Sequence, residues 1–559
     1  MHLRTAVLLL GLGVLCACKE PPRADTLTRV QATEPLPGCT PGQLIGLSPS
    51  PEQVTAHRQF DAPTLKYAQG QHPKEWGFPL VLLVDASGHA VCYEMDDADG
   101  RAVALNPQRK ALLVAARQWR YRPFMEGDKA SVAVVHEPVA EERIPPQRRV
   151  MPEVPLDTVK ISLSRSGCYG TCPIYSVEVF GDGRVIYDGE QYVDVTGRHE
   201  YRIPVEQVRD LLATFRRSDA WSLESNYSAM TTDSPTYCLR IHLDGQEHVI
   251  QDYVGKRVGM PQVVRQLQDA VDRISRAREW TELSQFAVAQ LQQEGFDFTS
   301  QAGANLFANA VMNYDGQDEA AMLRLIALGT PLQGGLFQEW RQNGVASEYE
   351  MFMLALSHHR VALIAPMLER GLLLTRGRVD QAKLDEAFQS AIEGGRLAAV
   401  QAIWNYSDTM KPSLHYVEPP ASEGADPTER YSVLMRLQRL QDPAWEGQQI
   451  AAWLATQGAD LRSARGARGE TLLHVAVQAE DFDFVRYLLA QGLDVSAESK
   501  SGLPALGGAH TEDMAMLLLQ AGSSWEMGDG GKHFRDYAGW NHWGRVLAWT
   551  APAAQPGAK

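Results

Sequence analysis

The feature that most constrains the fold is a series of helical stretches in the second half of the chain, each of which ends at a glycine. The glycines are Gly295, Gly329, Gly371, Gly458, Gly492 and Gly522. Four of their five separations are 34, 42, 34 and 30 residues. Such a period predicts a stack of helical repeats, because one helix pair cannot bury its apolar face alone. We expect an all-α solenoid over residues 280–550, with a concave binding face and an inserted loop at residues 411–430.

The clearest repeat runs from Gly469 to Val495 and begins with the motif Gly-Glu-Thr-Leu-Leu-His. This motif resembles the ankyrin repeat, with Leu472 at the position where proline is usual. A second copy, over residues 502–522, is weaker because it lacks the threonine and the histidine. The resemblance implies a protein-binding scaffold in which the imidazole of His474 holds backbone groups of the turn and has no catalytic role.

The first eighteen residues predict export. Arg4 supplies a positive start, residues 6–14 form an apolar run too short to span a bilayer, and Leu15-Cys16-Ala17-Cys18 follows. This ending resembles the bacterial lipobox. The resemblance implies a signal peptide over residues 1–17, cleavage before Cys18 and lipidation of the Cys18 sulfur, so that the membrane is a partner through this anchor. The alternative is an ordinary secretory signal.

The segments at the two ends of the mature chain are predicted to lack a core. Residues 18–38 are rich in proline and predict a tether between the lipid and the folded body. Lys19 follows the lipidated cysteine, and the absence of an aspartate there favours the periplasmic side of the outer membrane over the inner membrane. Residues 551–559 are expected to form a disordered tail.

Five cysteines remain after maturation, and an oxidising compartment favours disulfide bonds among them. Cys168 and Cys172 lie four residues apart around a glycine-containing turn and form the first expected pair. Cys39 and Cys92 form the second candidate pair, which leaves Cys238 as a small buried thiol. The alternatives for the first pair are a zinc site, which would need a second ligand pair, and a redox couple, which usually has two intervening residues.

Residues 39–143 predict a small α+β domain with alternating strand patterns, a hairpin turn and a capped helix. The predicted elements are a strand over 78–84, a turn over 85–88, a strand over 90–95, a helix from Asn106 to Arg117 and a strand over 129–136.

Three parts of this domain are similar to the C-terminal domain of the TonB family: residues 81–88, the stretch 115–123 with its Trp-Arg-Tyr-Arg-Pro element, and the turn at Gly127. The resemblance implies a domain that lends a strand to a partner's peptide or docks upon it. Energy transduction is not expected, because such transducers have an N-terminal transmembrane helix where this chain has a lipid. The alternative is a role in packing or spacing.

Residues 156–279 predict a second α+β domain, with hairpin turns at 181–183 and 244–245 and helices opened by Pro204 and Pro261. The string Cys-Tyr-Gly-Thr-Cys-Pro-Ile-Tyr from Cys168 resembles a bacterial family of domains of unknown function. That resemblance implies a fold and no particular activity.

The sequence lacks the patterns that carry common enzyme chemistry. It has no Gly-x-Ser-x-Gly elbow, no His-Glu-x-x-His helix and no Gly-rich phosphate loop. We therefore predict no catalytic, cofactor-binding or metal-binding residues. The formal net charge is -15 and no basic block is present, so nucleic acid is not an expected partner.

These features predict a multidomain protein in which two small α+β domains precede an all-α ankyrin-repeat solenoid. The predicted function is that of a lipid-anchored periplasmic binding or scaffold protein that recognises a protein partner in the cell envelope. One alternative is an immunity or inhibitor protein against an envelope-acting toxin or hydrolase. A further alternative is an enzyme of unrecognised type.

Overall fold

The structure is a computed structural model. It describes residues 34–40, 42–71, 78–95, 103–313, 318–335, 345–417, 429–437, 444–526, 531–541 and 543–551. The predicted signal peptide, the lipidation site Cys18 and most of the predicted tether lie outside the described residues. Residues 552–559 of the predicted tail also lie outside them.

The N-terminal domain consists of a small sheet, a short parallel strand pair and two helices. Its elements are α1 (Pro51–His57), β1 (Thr64–Tyr67), β2 (Pro79–Val84), β3 (Ala90–Met95), α2 (Pro107–Ala116), β4 (Phe124–Glu126), β5 (Lys129–Ser131), β6 (Ala133–Pro138) and β7 (Ala140–Arg143). The sheet has the order β3-β2-β6 with antiparallel neighbours, and β1 pairs with β7 in parallel. The predicted hairpin and helix are confirmed. The last predicted strand is divided in two, because residues 129–131 pair with β4 instead of with the sheet.

Helix α2 begins where the sequence predicts. The Asn106 side chain accepts the Arg109 N–H at 2.8 Å, and Pro107 occupies the first helical position, where its missing N–H costs no hydrogen bond. The apolar side of the helix, with Leu112 and Leu113, joins Leu80 and other side chains from one face of the sheet in a single core.

The folded structure begins earlier than the predicted end of the tether at residue 38. Leu36 is 3% exposed and belongs to the core of the N-terminal domain. Its N–H donates to the Leu113 carbonyl at 3.0 Å. Apolar burial therefore attaches residues 36–38 to the domain.

The second domain is a seven-stranded sheet with two helices. Its elements are β8 (Val159–Arg165), β9 (Ile174–Phe180), β10 (Arg184–Gln191), β11 (Gly197–Arg202), α3 (Val205–Arg217), β12 (Asn226–Ser228), β13 (Thr236–Leu243), β14 (Gln246–Tyr253) and α4 (Gln262–Ser275). The strand order is β11-β10-β9-β8-β13-β14-β12, and β12 is the one strand that runs parallel to its neighbour. Alternate side chains of the central strands are buried with the apolar faces of α3 and α4.

The second domain and the helical region share one apolar core. Trp280 lies in the short helix α5 (Arg278–Thr281) and is fully buried. Its ring stacks on Tyr187 and His199 of the sheet, with centroid distances of 5.4 Å and 4.5 Å. The same apolar cluster continues through the helical region to Val546. The domain boundary that the sequence predicts between residues 279 and 280 therefore does not separate two cores, because one apolar core continues across it.

Asp194 joins the same two regions through polar contacts. Its carboxylate accepts the Leu283 N–H at 2.6 Å and the Asn313 side-chain N–H at 2.9 Å. Burial is the largest influence on this carboxyl and raises the pKa of Asp194 to about 6. A buried polar group in such a position fixes how the two regions meet, because its hydrogen bonds are satisfied in one arrangement.

The helical region consists of short helices joined by turns. Its helices are α6 (Gln285–Gln293), α7 (Gln301–Met312), α8 (Glu319–Ala327), α9 (Glu348–Ser357), α10 (Val361–Leu368), α11 (Gln381–Glu393), α12 (Leu397–Trp404), α13 (Gly447–Thr456), α14 (Leu472–Gln478), α15 (Phe482–Ala490), α16 (Glu512–Gln520), α17 (Lys532–Trp540) and α18 (Gly544–Trp549). Two 3-10 helices, Val433–Arg436 and Ala505–Gly508, occupy the places of missing first helices. The two-residue strands are β15 (Leu374–Thr375), β16 (Arg378–Val379), β17 (His415–Tyr416) and β18 (Tyr431–Ser432).

These helices form two layers of consecutive pairs. In one layer, each element contacts the next in the order α7, α9, α11, the first 3-10 helix, α14 and the second 3-10 helix. In the other layer, the corresponding order is α8, α10, α12, α13 and α15. The six glycines that define the sequence period each follow a helix and have positive φ values between 74° and 102°. Glycine adopts this conformation without the Cβ penalty of other residues, so it ends each helix.

One helix pair is not followed by a glycine of the repeating series. Helices α11 and α12 form a repeat between Gly371 and Gly458, but α12 ends at Asn405, whose φ is -89°. Because the chain does not enter the left-handed region there, no glycine is required. The long separation between the two glycines therefore contains an additional repeat. Part of the predicted inserted loop, residues 418–428, lies outside the described residues.

The N-terminal domain contacts the second domain and also the last helix pair. Arg143 donates from its N–H to the Gly259 carbonyl at 2.7 Å and pairs with Glu224 at 3.2 Å. At the other end of the chain, Ile45 lies against Gly544, where a Cβ atom would come within 2.6 Å of the Ile45 Cα. Segments near the beginning and the end of the described chain therefore meet.

Candidate partner-binding site

A groove of about 550 Å3 crosses two consecutive repeats on one face of the helical region. Its lining residues come from the layer that contains α14 and the two 3-10 helices, and from the turns that precede those helices. They are Met435, Leu437, Arg468, Glu470, His474, Val475, Gln478, Ala479, Ser499, Ser501, Leu503, Ala505, Gly507 and Gly508. Helices α13 and α15 of the opposite layer contribute none of them. The groove therefore lies on one helix layer and spans neighbouring repeats.

The turn at the edge of the groove requires glycine at residue 469. Gly469 has a φ of +76°, and a Cβ atom there would approach the Lys500 backbone nitrogen to 3.0 Å. Helix α14 then begins at Thr471, whose hydroxyl oxygen accepts the Leu473 N–H at 3.2 Å. The turn and the cap together set the direction in which α14 presents its side chains to the groove.

His474 connects two turns of the groove wall. Its Nδ1 accepts the Thr471 N–H at 3.1 Å, so the neutral ring carries its proton on Nε2, which donates to the Leu503 carbonyl at 3.0 Å. Burial lowers the pKa of His474, which favours this neutral form. The contacts are those expected for a structural histidine that holds backbone groups of the repeat.

The groove combines apolar and polar side chains without a strong net charge. Met435, Leu437 and Leu503 supply apolar surface. Arg468 and Glu470 form an ion pair at 3.4 Å. Acidic residues outnumber basic ones over residues 280–550 as a whole, so the acidic excess of the helical region lies largely outside the groove.

Both expected cysteine pairs form disulfide bonds in the structure. Cys168 and Cys172 are bonded across the loop between β8 and β9, with a Cα–Cα distance of 5.7 Å. Cys39 and Cys92 are bonded with a Cα–Cα distance of 5.0 Å and join residues 53 positions apart. Cys238, on β13, is a free thiol, and it is partly exposed where the sequence predicted burial.

Neither a membrane-spanning helix nor a metal-binding cluster of three side chains occurs among the described residues. Within them, no helix combines the length and apolar character needed to cross a bilayer. The same part of the chain brings together no group of three or more His, Cys, Asp or Glu side chains placed to hold a metal ion.

Two family models match parts of the chain. Residues 159–275 match the model described as "Domain of unknown function (DUF6438)", and residues 468–500 match the ankyrin repeat. The second match covers the repeat that supplies half of the residues lining the groove. Ankyrin repeats indicate a protein–protein interaction scaffold. The helical region is therefore the part of the molecule that the match associates with protein binding.

One solved structure similar to this chain is that of the ankyrin repeat domain of Bcl-3, whose title describes a unique member of the IkappaB protein family. The two share 16% sequence identity, and the match covers 42% of this chain and 91% of the other with a TM-score of 0.24. No curated protein matches the chain.

The sequence identifies the repeat that contains His474 but assigns no residue to partner binding, and it gives no helix to the part of the groove that precedes this repeat. Met435 and Leu437 come from the short apolar run at residues 433–437, which the sequence places after the inserted loop. A 3-10 helix there occupies the position of the first helix of a repeat. The apolar run one repeat length before α14 is the signal that identifies it.

Proposed function

We propose that this protein is a lipid-anchored binding or scaffold protein on the periplasmic side of the outer membrane. It recognises a protein partner of the cell envelope through the groove between its ankyrin-type repeats. Its chemistry is association without turnover, and it requires no cofactor or metal ion. The lipid at Cys18 supplies its contact with the membrane.

The position of the groove carries this proposal. Its walls come from one helix layer and the adjoining turns, so neighbouring repeats contribute to a single continuous surface. Side chains such as Leu503, which is 42% exposed, provide apolar area beside polar groups such as Gln478. Surfaces of this composition bind proteins by burying apolar anchors within a polar surround.

Photo-crosslinking in intact cells tests the groove directly. A photoreactive amino acid at Gln478 faces the groove, whereas the same group at Arg486 lies on α15, in the opposite layer of the same repeat. We expect a defined protein adduct from position 478 and none from position 486. Equal adducts from both positions, or none from either, would contradict recognition through the groove.

The substitution Leu503→Asp is expected to weaken recovery of the crosslinked partner about tenfold, equivalent to about 1.4 kcal/mol of binding free energy. The fold should persist, because the Leu503 side chain is partly exposed and His474 makes its hydrogen bond to the Leu503 backbone oxygen. Val150→Asp is the matched control, since Val150 is 87% exposed in the linker between the two α+β domains. Quantitative recovery of the adduct from each variant measures the effect.

The anchor is tested by Cys18→Ala. We expect this variant to leave the membrane fraction and appear as a soluble, folded periplasmic protein, because lipidation requires the Cys18 sulfur. Fractionation of cells followed by immunodetection measures the change. Retention of the variant in the membrane fraction would refute lipid anchoring at this residue.

A second candidate function is that of an inhibitor or immunity protein against a toxin or hydrolase that acts in the envelope. The excess of acidic residues over residues 280–550 favours this function, because an acidic surface attracts a basic enzyme. A basic enzyme as the crosslinked partner, with inhibition that weakens as salt is raised, would support it. A partner without enzymatic activity would leave the scaffold function in place.

A further inference from the structure

The N-terminal domain covers both edges of its own sheet with one segment of the chain. This segment, residues 36–40 and 42–48, is called the strap here. On the β3 side, the Cys39 N–H donates to the Tyr93 carbonyl at 2.8 Å, and the Tyr93 N–H donates to the Pro37 carbonyl at 3.0 Å. Gly38 and Tyr93 thereby form a parallel bridge. The strap acts at this point as an additional strand beside β3.

The strap then reaches the opposite edge of the sheet. The Leu47 N–H donates to the Val132 carbonyl at 2.8 Å, and the Val134 N–H donates to the Leu47 carbonyl at 2.7 Å. These bonds form a second parallel bridge, between Leu47 and Ala133 beside β6. Both strands at the edges of the order β3-β2-β6 therefore already have a partner within the chain.

Between the two edges the strap crosses the face of the sheet that lies opposite α2. Leu44 is buried there in a small apolar cluster with Val81, Leu83 and Val134. Cys92 of β3 belongs to the same cluster and is 2% exposed. Apolar burial thus holds the middle of the strap, while hydrogen bonds hold its two ends.

The two ends of the strap differ in how firmly they are attached. The end at β6 is held by main-chain hydrogen bonds, whereas the end at β3 is also joined covalently by the Cys39–Cys92 disulfide bond. A sheet edge with free N–H and C=O groups pairs readily with another strand, and strand addition uses those groups. The covalent bond therefore keeps the strap at the β3 edge even when its hydrogen bonds there open.

We propose that the strap is an intramolecular strand that closes the β3 edge, and that the Cys39–Cys92 disulfide bond locks it in place. Reduction by a protein dithiol unlocks the edge, which then accepts an extended peptide of a partner. The peptide pairs parallel to β3 and carries small residues where Gly38 and Cys39 now lie. This second binding surface is separate from the groove and does not depend on the function proposed for it.

The reduction is an ordinary thiol–disulfide exchange. A thiolate of the dithiol attacks the Cys39 sulfur, which is the more exposed of the two, and the Cys92 thiolate leaves. The second thiol of the reductant then attacks the mixed disulfide and releases Cys39. Cys39 and Cys92 end as thiols after taking up two electrons and two protons, and the reductant ends as a disulfide.

Amide hydrogen exchange on the full chain tests whether the lock holds the edge. The Tyr93 N–H reports on the β3 edge, and the Leu82 N–H, on the central strand β2, reports on the sheet as a whole. With the disulfide intact, both should exchange slowly. In reduced protein, and in the variant Cys39→Ser/Cys92→Ser, Tyr93 should exchange at least about tenfold faster than Leu82 in the same sample.

A peptide with the sequence of residues 34–48, with serine in place of Cys39 and a fluorescent label, tests whether the open edge accepts a strand. We expect a rise in anisotropy with the reduced protein and with Cys39→Ser/Cys92→Ser. No rise is expected with the oxidised protein or with Cys168→Ser/Cys172→Ser, which lacks the other disulfide bond and serves as the matched control.

Three results would overturn the proposal. One is equal exchange of Tyr93 and Leu82 without the disulfide, which would mean that the whole domain opens. Another is a Tyr93 amide that stays as protected as in the oxidised protein. The third is a faster Tyr93 amide without peptide binding, which would mean that the freed edge does not accept a strand.

Discussion

The two α+β domains each contain a mainly antiparallel sheet and one disulfide bond, but they bury their sheets in different ways. The N-terminal domain has an apolar core of its own and covers its remaining sheet surface with the strap. The second domain shares its core with the helical region through Trp280. A domain border read from the sequence therefore need not coincide with a border between apolar cores, because one buried side chain can pack against both sides.

The largest expected effect comes from Trp280→Ala. Removal of a fully buried tryptophan costs about 3 to 5 kcal/mol, because apolar contacts are lost and a cavity remains. If the core is shared, this variant should lower hydrogen-exchange protection in the sheet around Tyr187 and in helices α6 and α7 together. The strands β2 and β6 of the N-terminal domain should keep their protection.

Trp119→Ala is the reciprocal variant. Trp119 is 7% exposed and stacks on Phe60 at a centroid distance of 4.4 Å inside the N-terminal domain. Its removal should lower protection in β2 and β6 and leave the second domain unchanged. Loss of protection throughout the chain in either variant would show that the two cores unfold as one unit.

The two disulfide bonds should differ in their contribution to stability. The Cys39–Cys92 bond spans 53 residues and the Cys168–Cys172 bond spans four. From loop entropy in the unfolded chain, replacement of the first pair by serine should lower the free energy of unfolding by about 4 kcal/mol, and of the second by about 2 kcal/mol. Denaturant unfolding followed separately for each domain measures both values. A larger loss from the second pair would mean that its loop contributes packing beyond chain entropy.

The smallest predicted effect is a pH dependence confined to the shared core. Burial, with a further contribution from Arg360, lowers the pKa of His358 to about 4. His358 therefore binds a proton near pH 6.5 in the unfolded chain but only near pH 4 in the folded chain. The free energy of unfolding consequently decreases as the pH falls from about 6.5 toward 4. Between pH 7 and pH 5 the loss from this group is about 2 kcal/mol.

The variant His358→Gln isolates this contribution. Asp194 and Asp272, whose pKa values burial raises to about 6, act in the opposite direction, because the folded state binds their protons more strongly than the unfolded state does. Their effect is common to the wild type and the variant and cancels in the comparison. Denaturant unfolding of the helical region at pH 7 and pH 5 should show a smaller pH dependence in the variant. Identical pH dependence would argue against a neutral buried His358.

The sequence predicted the features of this protein that depend on local chemistry. Glycines such as Gly492 end helices because the left-handed conformation there excludes most side chains, and the glycine is visible in the sequence. Asn106 begins a helix because its side chain accepts a backbone N–H group within the next turn. The pairing of Cys168 with Cys172 was equally local, since four residues around a turn bring the two sulfurs together.

Only the tertiary structure decided the features that depend on residues far apart in the chain. The sequence placed Trp280 at a domain border, but its burial depends on Tyr187 and His199, which reach it through the folded sheet. It placed Leu36 in a tether, because an isolated apolar residue among prolines gives no sign of the core that receives it. Helix caps and turns are determined within a few residues, whereas packing across sheets and repeats is determined by the assembled surface alone.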